Sequence, residues 1–380
     1  MRLYEFEGAG LFRRESIPIP GFALATNPAE AREKATALGL PVVLKAQVLT
    51  GGRYLAGGVQ TANTLAEVDQ AAKRIFSARI RNLPIDRVMV AKKITGEREY
   101  YLSVTLDDYN GVPVAILSAE GGVAINDTAR EKPEVLVSRP LSITAGLQRS
   151  EAFLMCQQAG LSRYEQEGVT SVFMSLYQVF RKYDALIAEI NPLVRTPDGE
   201  FVALDSKVEL DDSALFRHPD LGLTLASRLL NPLERKGKEI GVTYVELEGD
   251  IAMISSGAGL GMASMDIISR RAKPANFLET GGAITEDLLY KATDLVLQKP
   301  GVKALFINIY GGINPIHEGA KGIVRYLKEH NVRIPAVAKA LGNHQEETWE
   351  IFKAGGVHVV DDVSTEKGID LVMRLLGKES

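Results

Sequence analysis

The sequence predicts an α/β chain in two parts, the second a doubly wound parallel sheet. Three observations carry this. From about residue 237 onward, short β-branched runs (IAMISS, PANFLE, VKALFINIY, IPAVAKA, VHVV) alternate with helical segments near MASMDIIS, EDLLYKATDLVLQ, EGAKGIVRYLKEH, EETWEIFKAG and TEKGIDLVMRLL. In the second of these helices Leu288, Leu289, Ala292, Leu295 and Val296 fall on one face. Strands separated by amphipathic helices require a parallel sheet covered on both sides. Finally, 380 residues suggest two or three domains. The charged run ERKGKE places a boundary near 237, giving parts 1–236 and 237–380.

The first part is less regular. Asn27-Pro28 predicts an N-cap with proline at the first helical position, and the helix stops at Gly39. PVVLKAQV then reads as a strand, and GGRYLAGG (51–58) as a glycine-rich loop. Thr64 and Glu67 have capping-box spacing ahead of a helix through the low 80s. Strand-like runs follow at RVMVAKK, REYYLSVTL and VPVAILS, and then helices from about 150 to 185. ALIAEI and EFVALD form a hairpin around Pro197-Asp198-Gly199.

Composition excludes several classes. The chain is 46% hydrophobic and 24% charged with a net charge of −4, so nothing calls for nucleic acid or a membrane as partner. No stretch approaches the roughly 20 apolar residues of a membrane span. The opening MRLYEFEGAGLF lacks the apolar core of a secretory signal. A single cysteine, Cys156, allows no internal disulfide. The expectation is a soluble, cytoplasmic protein.

Four segments can carry chemistry. Lys45, followed by Gly51, Gly52 and Arg53, offers positive charge and backbone N–H groups to phosphate, though the spacing is not that of a Walker A loop; a plain hairpin loop is the competing reading. In EINPLVRTPDGEFVALDSK, Asn191 and Asp205 lie near opposite ends of the hairpin, so an amide oxygen and a carboxylate could meet on adjacent strands in a manner suited to Mg²⁺. Glu189 and Lys207 flank them; a solvated hairpin end remains open. SSGAGLGMASMD places glycines at 257, 259 and 261 after a strand, but not as G-x-G-x-x-G, so nicotinamide binding rests on little. In NIYGGINPIHEG, Asn314-Pro315 offers an N-cap after Gly311-Gly312, aiming a helix N-terminus beyond the sheet, where anions bind. The five histidines show no metal-ligand spacing, and His317, in that helix's first turn, reads as solvated.

Taken in order, LYEFEGAGLF, VVLKAQVLTGGRYLAGGV, IAEINPLV, ALDSKVELDDSALFRHPDL, GAGLGMASMD, PANFLETGGAITED and NIYGGI resemble the succinyl-CoA synthetase β-subunit family over nearly the whole chain. The resemblance implies an ATP-grasp domain of two lobes, the smaller about 21–100, followed by a flavodoxin-like domain. It implies an ADP-forming acid–thiol ligase of the tricarboxylic acid cycle. ATP with Mg²⁺ phosphorylates a histidine of a partner α subunit, in an αβ or α2β2 assembly. The phosphoryl group passes to a carboxylic acid, and CoA, bound mainly by the partner, attacks the acyl phosphate. By the same resemblance Lys45, Gly51, Gly52, Arg53 and Glu99 contact nucleotide, Asn191 and Asp205 hold magnesium, and Glu189 assists phosphoryl transfer. Ser256, Gly312, Ile313 and Asn314 face the acid and the phosphohistidine.

The chain departs from the family at several of these points. Tyr54-Leu55 replaces the usual Gly-Lys, Ala91 a common glutamate near the base, Ser256 an asparagine, and Asn314-Pro315 an apolar–basic pair. Two further readings therefore stand beside succinate ligation: the same reaction on malate, citrate or another short acid, and a nucleotide-binding subunit that has lost catalysis.

Overall fold

The computed structural model describes residues 1–122 and 135–377. It divides into two compact units, Met1–Gly222 and Leu223–Ser380.

Among the described residues the first unit holds two large antiparallel sheets and a short two-stranded one. The smaller of the large pair is ordered β1-β6-β2-β3, from β1 (Phe22–Ala25), β2 (Val42–Ala46), β3 (Val59–Ala62) and β6 (Val88–Lys92). A two-residue pair, β4 (Arg79–Ile80) and β5 (Leu83–Pro84), lies beside it in sequence. The Pro28–Leu38 and Leu65–Ser77 helices bury Ala31, Ala35, Val68, Ala72 and Ile75 with Val42, Leu44, Val88 and Val90 in one core. Both begin as predicted. The Asn27 side chain accepts from Glu30 N at 2.9 Å and the Thr64 hydroxyl from Glu67 N at 3.2 Å, while Gly39 supplies the positive φ that ends the first helix.

The larger sheet runs β11-β10-β7-β8-β9, with β12 also pairing β10. Its strands are β7 (Arg98–Asp107), β8 (Val112–Ser118), β9 (Leu136–Pro140), β10 (Ala185–Arg195), β11 (Phe201–Ala203) and β12 (Lys207–Leu210). The predicted hairpin is present, with Arg195 opposite Phe201 and Gly199 at φ +90° in its turn. The Arg163–Lys182 helix covers one face with Val169, Phe173 and Leu176.

In the second unit one sheet is ordered β13-β15-β14-β16-β17-β18. β14 (Ile251–Ser255), β15 (Asn276–Glu279), β16 (Ala304–Gly311), β17 (Ala336–Gly342) and β18 (His358–Val359) are parallel, in the 2-1-3-4-5 order of flavodoxin-like sheets. The alternation along its strands fills two cores. Ala252, Ile254, Leu305 and Ile307 face one side, and Ile251, Met253, Ala304 and Phe306 the other. Leu289, Ala292, Leu295 and Val296 are buried on the face predicted for their helix, with Leu288 at its margin.

Three expectations are corrected. An antiparallel edge strand, β13 (Thr243–Glu246), precedes the parallel set; TYVE is short and half-buried, so it gave no strand signal. The units divide between Gly222 and Leu223, not near 237. ERKGKE belongs to the Pro232–Ile240 helix, which packs Leu233 and Ile240 onto the second unit's core. The helix after β14 starts at Ala258, so Gly259 and Gly261 lie inside its first turn and no separate glycine turn precedes it. A Cβ on Gly261 would meet the Phe277 ring at 2.8 Å, which is a helix–strand packing reason for glycine there.

Candidate active site

The N-terminal helix Glu5–Arg14 buries Gly8, Ala9 and Phe12, and Glu5 on the same face. That buried carboxylate organises a charge cluster. Lys45, projecting from β2, donates to Glu5 Oε1 at 2.7 Å and to the Leu204 carbonyl at 2.5 Å. Arg53, in the loop after β2, lies 2.6 Å from Glu5 Oε2 and donates to both oxygens of Asp205 at 2.8 Å. Two cations and two carboxylates thus neutralise one another in a mostly buried space. Burial works against ionisation of Asp205, but the charges of Arg53 and Lys45 and the hydrogen bonds from Arg53 and Ser206 N outweigh it. The carboxyl is held below its usual range. Likewise Asp205 and Glu5 overcome the burial of Arg53 and hold its guanidinium above its ordinary value.

The second predicted pair lies on the two sides of the hairpin. Register pairs Leu193 with Ala203 and Glu189 with Lys207, which sets Asn191 and Asp205 at opposite positions between the two paired stretches. Asn191 Oδ1 accepts from Gly122 N at 2.7 Å, and its amide donates to Gly122 O at 3.1 Å. Its carbonyl oxygen keeps a second lone pair. A carboxylate and an amide oxygen opposed in this way are the hard donors that Mg²⁺ takes, so the residues fit that ion.

Glu189 accepts from Lys207 Nζ at 2.9 Å and Tyr101 OH at 3.2 Å. Burial and this carboxylate raise the Tyr101 phenol above its ordinary value. Glu99 shares the Tyr101 face of β7, two residues away. Its side chain lies against Gly122, where an added Cβ would come within 2.8 Å of Oε2. Gly122 sits at φ +101°, which favours glycine there, whereas the Glu99 carboxylate ends a flexible side chain that can yield.

In the 51–58 loop, Gly51 and Gly52 are exposed, and Gly52 adopts φ +80°. The loop closes through Gly58 N to Arg53 O at 2.8 Å and Ala46 N to Gly58 O at 2.7 Å. Tyr54 and Leu55 project outward, 59% and 81% exposed. Ala91 is buried in β6 between β1 and β2.

The carboxyl edge of the second unit's sheet brings together the other predicted residues. The Ser256 hydroxyl donates to Tyr310 O at 3.0 Å and accepts from Tyr310 N at 2.9 Å, pinning β14 to β16. Gly312 and Ile313 are exposed, Ile313 by 90%. Asn314 is not the predicted N-cap. Pro315 occupies that position, the helix begins at Ile316, and the Asn314 amide donates instead to the Gly282 carbonyl. The bond to the neighbouring loop competes successfully with capping.

Sequence reasoning missed Glu5. A signal was present: Glu5, Ala9 and Phe12 share one helical face, so a carboxylate stood on an apolar stripe.

Comparison with known proteins agrees with this architecture. An ATP-grasp domain model matches residues 2–195 and a CoA-ligase model residues 254–369. The chain is 40% identical over 348 residues to the β subunit of ADP-forming succinate–CoA ligase from Chloroflexus aurantiacus, spanning 91% of this chain and 92% of that one. It is 40% identical over 360 residues to the GDP-forming β subunit of Thermus thermophilus, spanning 94% and 95%. The ATP citrate lyase structure of Methanothrix soehngenii in complex with citrate and coenzyme A shares the fold with a TM-score of 0.78 at 18% identity, over 98% of this chain and 99% of that one. On its sequence, its ATP-grasp and CoA-ligase domains and its fold, the chain belongs to the succinate–CoA ligase β-subunit family.

Proposed function

We propose that this chain is the nucleotide-binding β subunit of an ADP-forming acid–CoA ligase, with succinate as the acid. The single observation that carries the reading is the cluster of Lys45, Arg53 and Asp205 around Glu5, with Asn191 on the hairpin strand opposite Asp205.

In this reading the γ-phosphoryl group of ATP passes to a histidine nitrogen of a partner α subunit, releasing ADP. The phosphohistidine then gives its phosphoryl group to the acid's carboxylate, and the CoA thiolate displaces phosphate from the acyl phosphate. Phosphoryl transfer needs positioning and charge neutralisation rather than a nucleophile from this chain. Lys45 and Arg53 carry the positive charge for the triphosphate. Gly51 and Gly52 leave the loop backbone open to it, and Glu99 contacts the nucleotide. Asn191 and Asp205 would hold Mg²⁺, which supplies neutralisation of the triphosphate charge. Asp205 is bound by Arg53 in the structure, so an ion held by Asp205 would compete with Arg53 for its carboxylate, and Arg53 would be left to pair with phosphate. Glu189, held by Lys207 and Tyr101, assists at the nucleotide-side transfer. Gly312, Ile313 and the N-terminus of the Ile316–Glu329 helix face the partner's phosphohistidine and the acid, and CoA binds mainly to the partner.

A second reading changes only the acid. It is favoured by Ser256 and Asn314, whose polar groups are committed to Tyr310 and Gly282. The test is thioester formation by the chain assembled with its α subunit, given ATP, Mg²⁺, CoA and a panel of acids. Succinate is expected to be the best substrate; faster turnover of malate or citrate selects the second reading, and no turnover of any acid contradicts both.

A further inference from the structure

We infer that the second unit carries a site for a borderline divalent transition cation, of the Zn²⁺ class, held by His317, His344 and Glu347. It goes beyond the ligase reading and does not rest on it.

The two histidines lie 27 positions apart in sequence, on different helices. His317 is in the first turn of the Ile316–Glu329 helix, which follows β16. His344 is the N-cap of the Gln345–Ala354 helix, which follows β17, and Glu347 lies in that helix's first turn. Parallel pairing of β16 with β17 puts both helix starts at one edge. Asn343 then ties the loops, its N–H donating to Gly311 O at 2.7 Å and its amide to Ile313 O at 3.0 Å. The imidazoles come to 4.5 Å between centroids, and one ligand atom from each of the three residues lies within 4.8 Å of the others.

The environment of His317 points to a metal. Its Nε2 lies 3.1 Å from Glu318 Oε1, a contact that favours the tautomer with the ring proton on Nε2. Nδ1 is then a bare lone pair. It is buried and has no hydrogen-bond partner among the described residues. A buried acceptor left unsatisfied is costly, and an imidazole that gives one N–H to a carboxylate while offering its other nitrogen is the ordinary arrangement of a metal-bound histidine. Glu318 is fixed in turn by Lys321 at 2.6 Å, so the nearby ammonium is already neutralised.

One effect opposes a cation here. Two helix N-termini point positive dipole ends at it. Glu318 in one first turn and Glu346 and Glu347 in the other supply the compensating negative charge. Two imidazoles and one carboxylate suit Zn²⁺, Co²⁺ or Ni²⁺ and not Mg²⁺, which separates this site from the Asn191–Asp205 pair. Three protein ligands leave a fourth position for water.

The test uses the full-length chain without a polyhistidine tag, stripped of metal and kept in excess Mg²⁺. Co²⁺ is titrated in, read by its visible ligand-field bands, and then displaced with Zn²⁺. One Co²⁺ per chain is expected, displaced by Zn²⁺. His344→Asn keeps a residue that tolerates the left-handed backbone at this position, where φ is +59°. It should weaken binding about tenfold or more, since loss of an outer-shell partner alone costs that much. Glu347→Gln should do the same, and His358→Asn, outside the cluster, should change nothing. No Co²⁺ spectrum, or unchanged affinity in His344→Asn and Glu347→Gln, overturns the site.

Discussion

At the scale of single residues, the first unit is organised by Glu5. It is 5% exposed and touches both cations proposed for the nucleotide. Removing one member of a buried ion cluster costs more than the cluster contributes, because the remaining charges lose their compensation. Glu5→Gln is therefore expected to lower unfolding stability by about 3 kcal/mol, measured by urea denaturation; a change near zero would mean that Lys45 and Arg53 are neutralised elsewhere. This residue also marks where reading the sequence fell short. Lys45, Arg53, Asn191 and Asp205 could be proposed from the sequence because a glycine-rich loop and a hairpin announce themselves by local spacing. Glu5 carried a local signal as a carboxylate on an apolar helical stripe, but its partner lies 40 positions away and was not foreseeable from it; the histidine pair spans 27 positions and one crossover, which no local pattern exposes.

At the scale of elements, helices are tied to sheets by specific atoms. Glu165, near the start of the Arg163–Lys182 helix, accepts from Ser162 N at 2.7 Å, Tyr100 OH at 2.7 Å and Arg98 at 3.0 Å. Burial works to raise its pKa, yet these hydrogen bonds and the charge of Arg98 lower it from 4.5 to about 2. A depressed carboxyl pKa stabilises the fold in full above the unfolded value of 4.5 and loses that contribution as pH falls through 2. At neutral pH it amounts to about 3 kcal/mol. Glu165→Gln should accordingly lose most at pH 7, with the gap to the parent narrowing at pH 3; a gap independent of pH refutes the assignment. In the second unit, Gly322 lets two helices touch. A Cβ there would come within 2.0 Å of Glu286 O, a backbone atom that cannot swing aside. Gly322→Ala is expected to destabilise by about 1–3 kcal/mol, seen as a lower thermal midpoint, and an unchanged midpoint would show that the Glu286–Leu297 helix yields freely. The parallel sheet was readable because buried β-branched runs alternate with amphipathic helices. β13 was not, since an edge strand of four residues lacks both the run and the periodicity. Asn314-Pro315 carried a sound capping signal that a loop contact overrode.

At the scale of the whole molecule, the first unit gathers cations and oxygen donors, and the second presents glycine-rich loops and helix starts at the carboxyl edge of a parallel sheet. Among the described residues no helix is long and apolar enough to cross a membrane. The proposed relay divides between two polypeptides, so this chain alone should make no thioester. The most direct measurement of the central claim is phosphorylation of the partner's histidine from γ-labelled ATP with Mg²⁺, comparing the parent assembly with Asp205→Asn. That substitution keeps the side chain's shape and removes the charge shared by Arg53 and the proposed metal. The account predicts a labelled α subunit in the parent assembly and a loss of at least about a hundredfold in the variant's rate, on the scale of removing one electrostatic contact to a transferring group. Equal labelling of the two would contradict it.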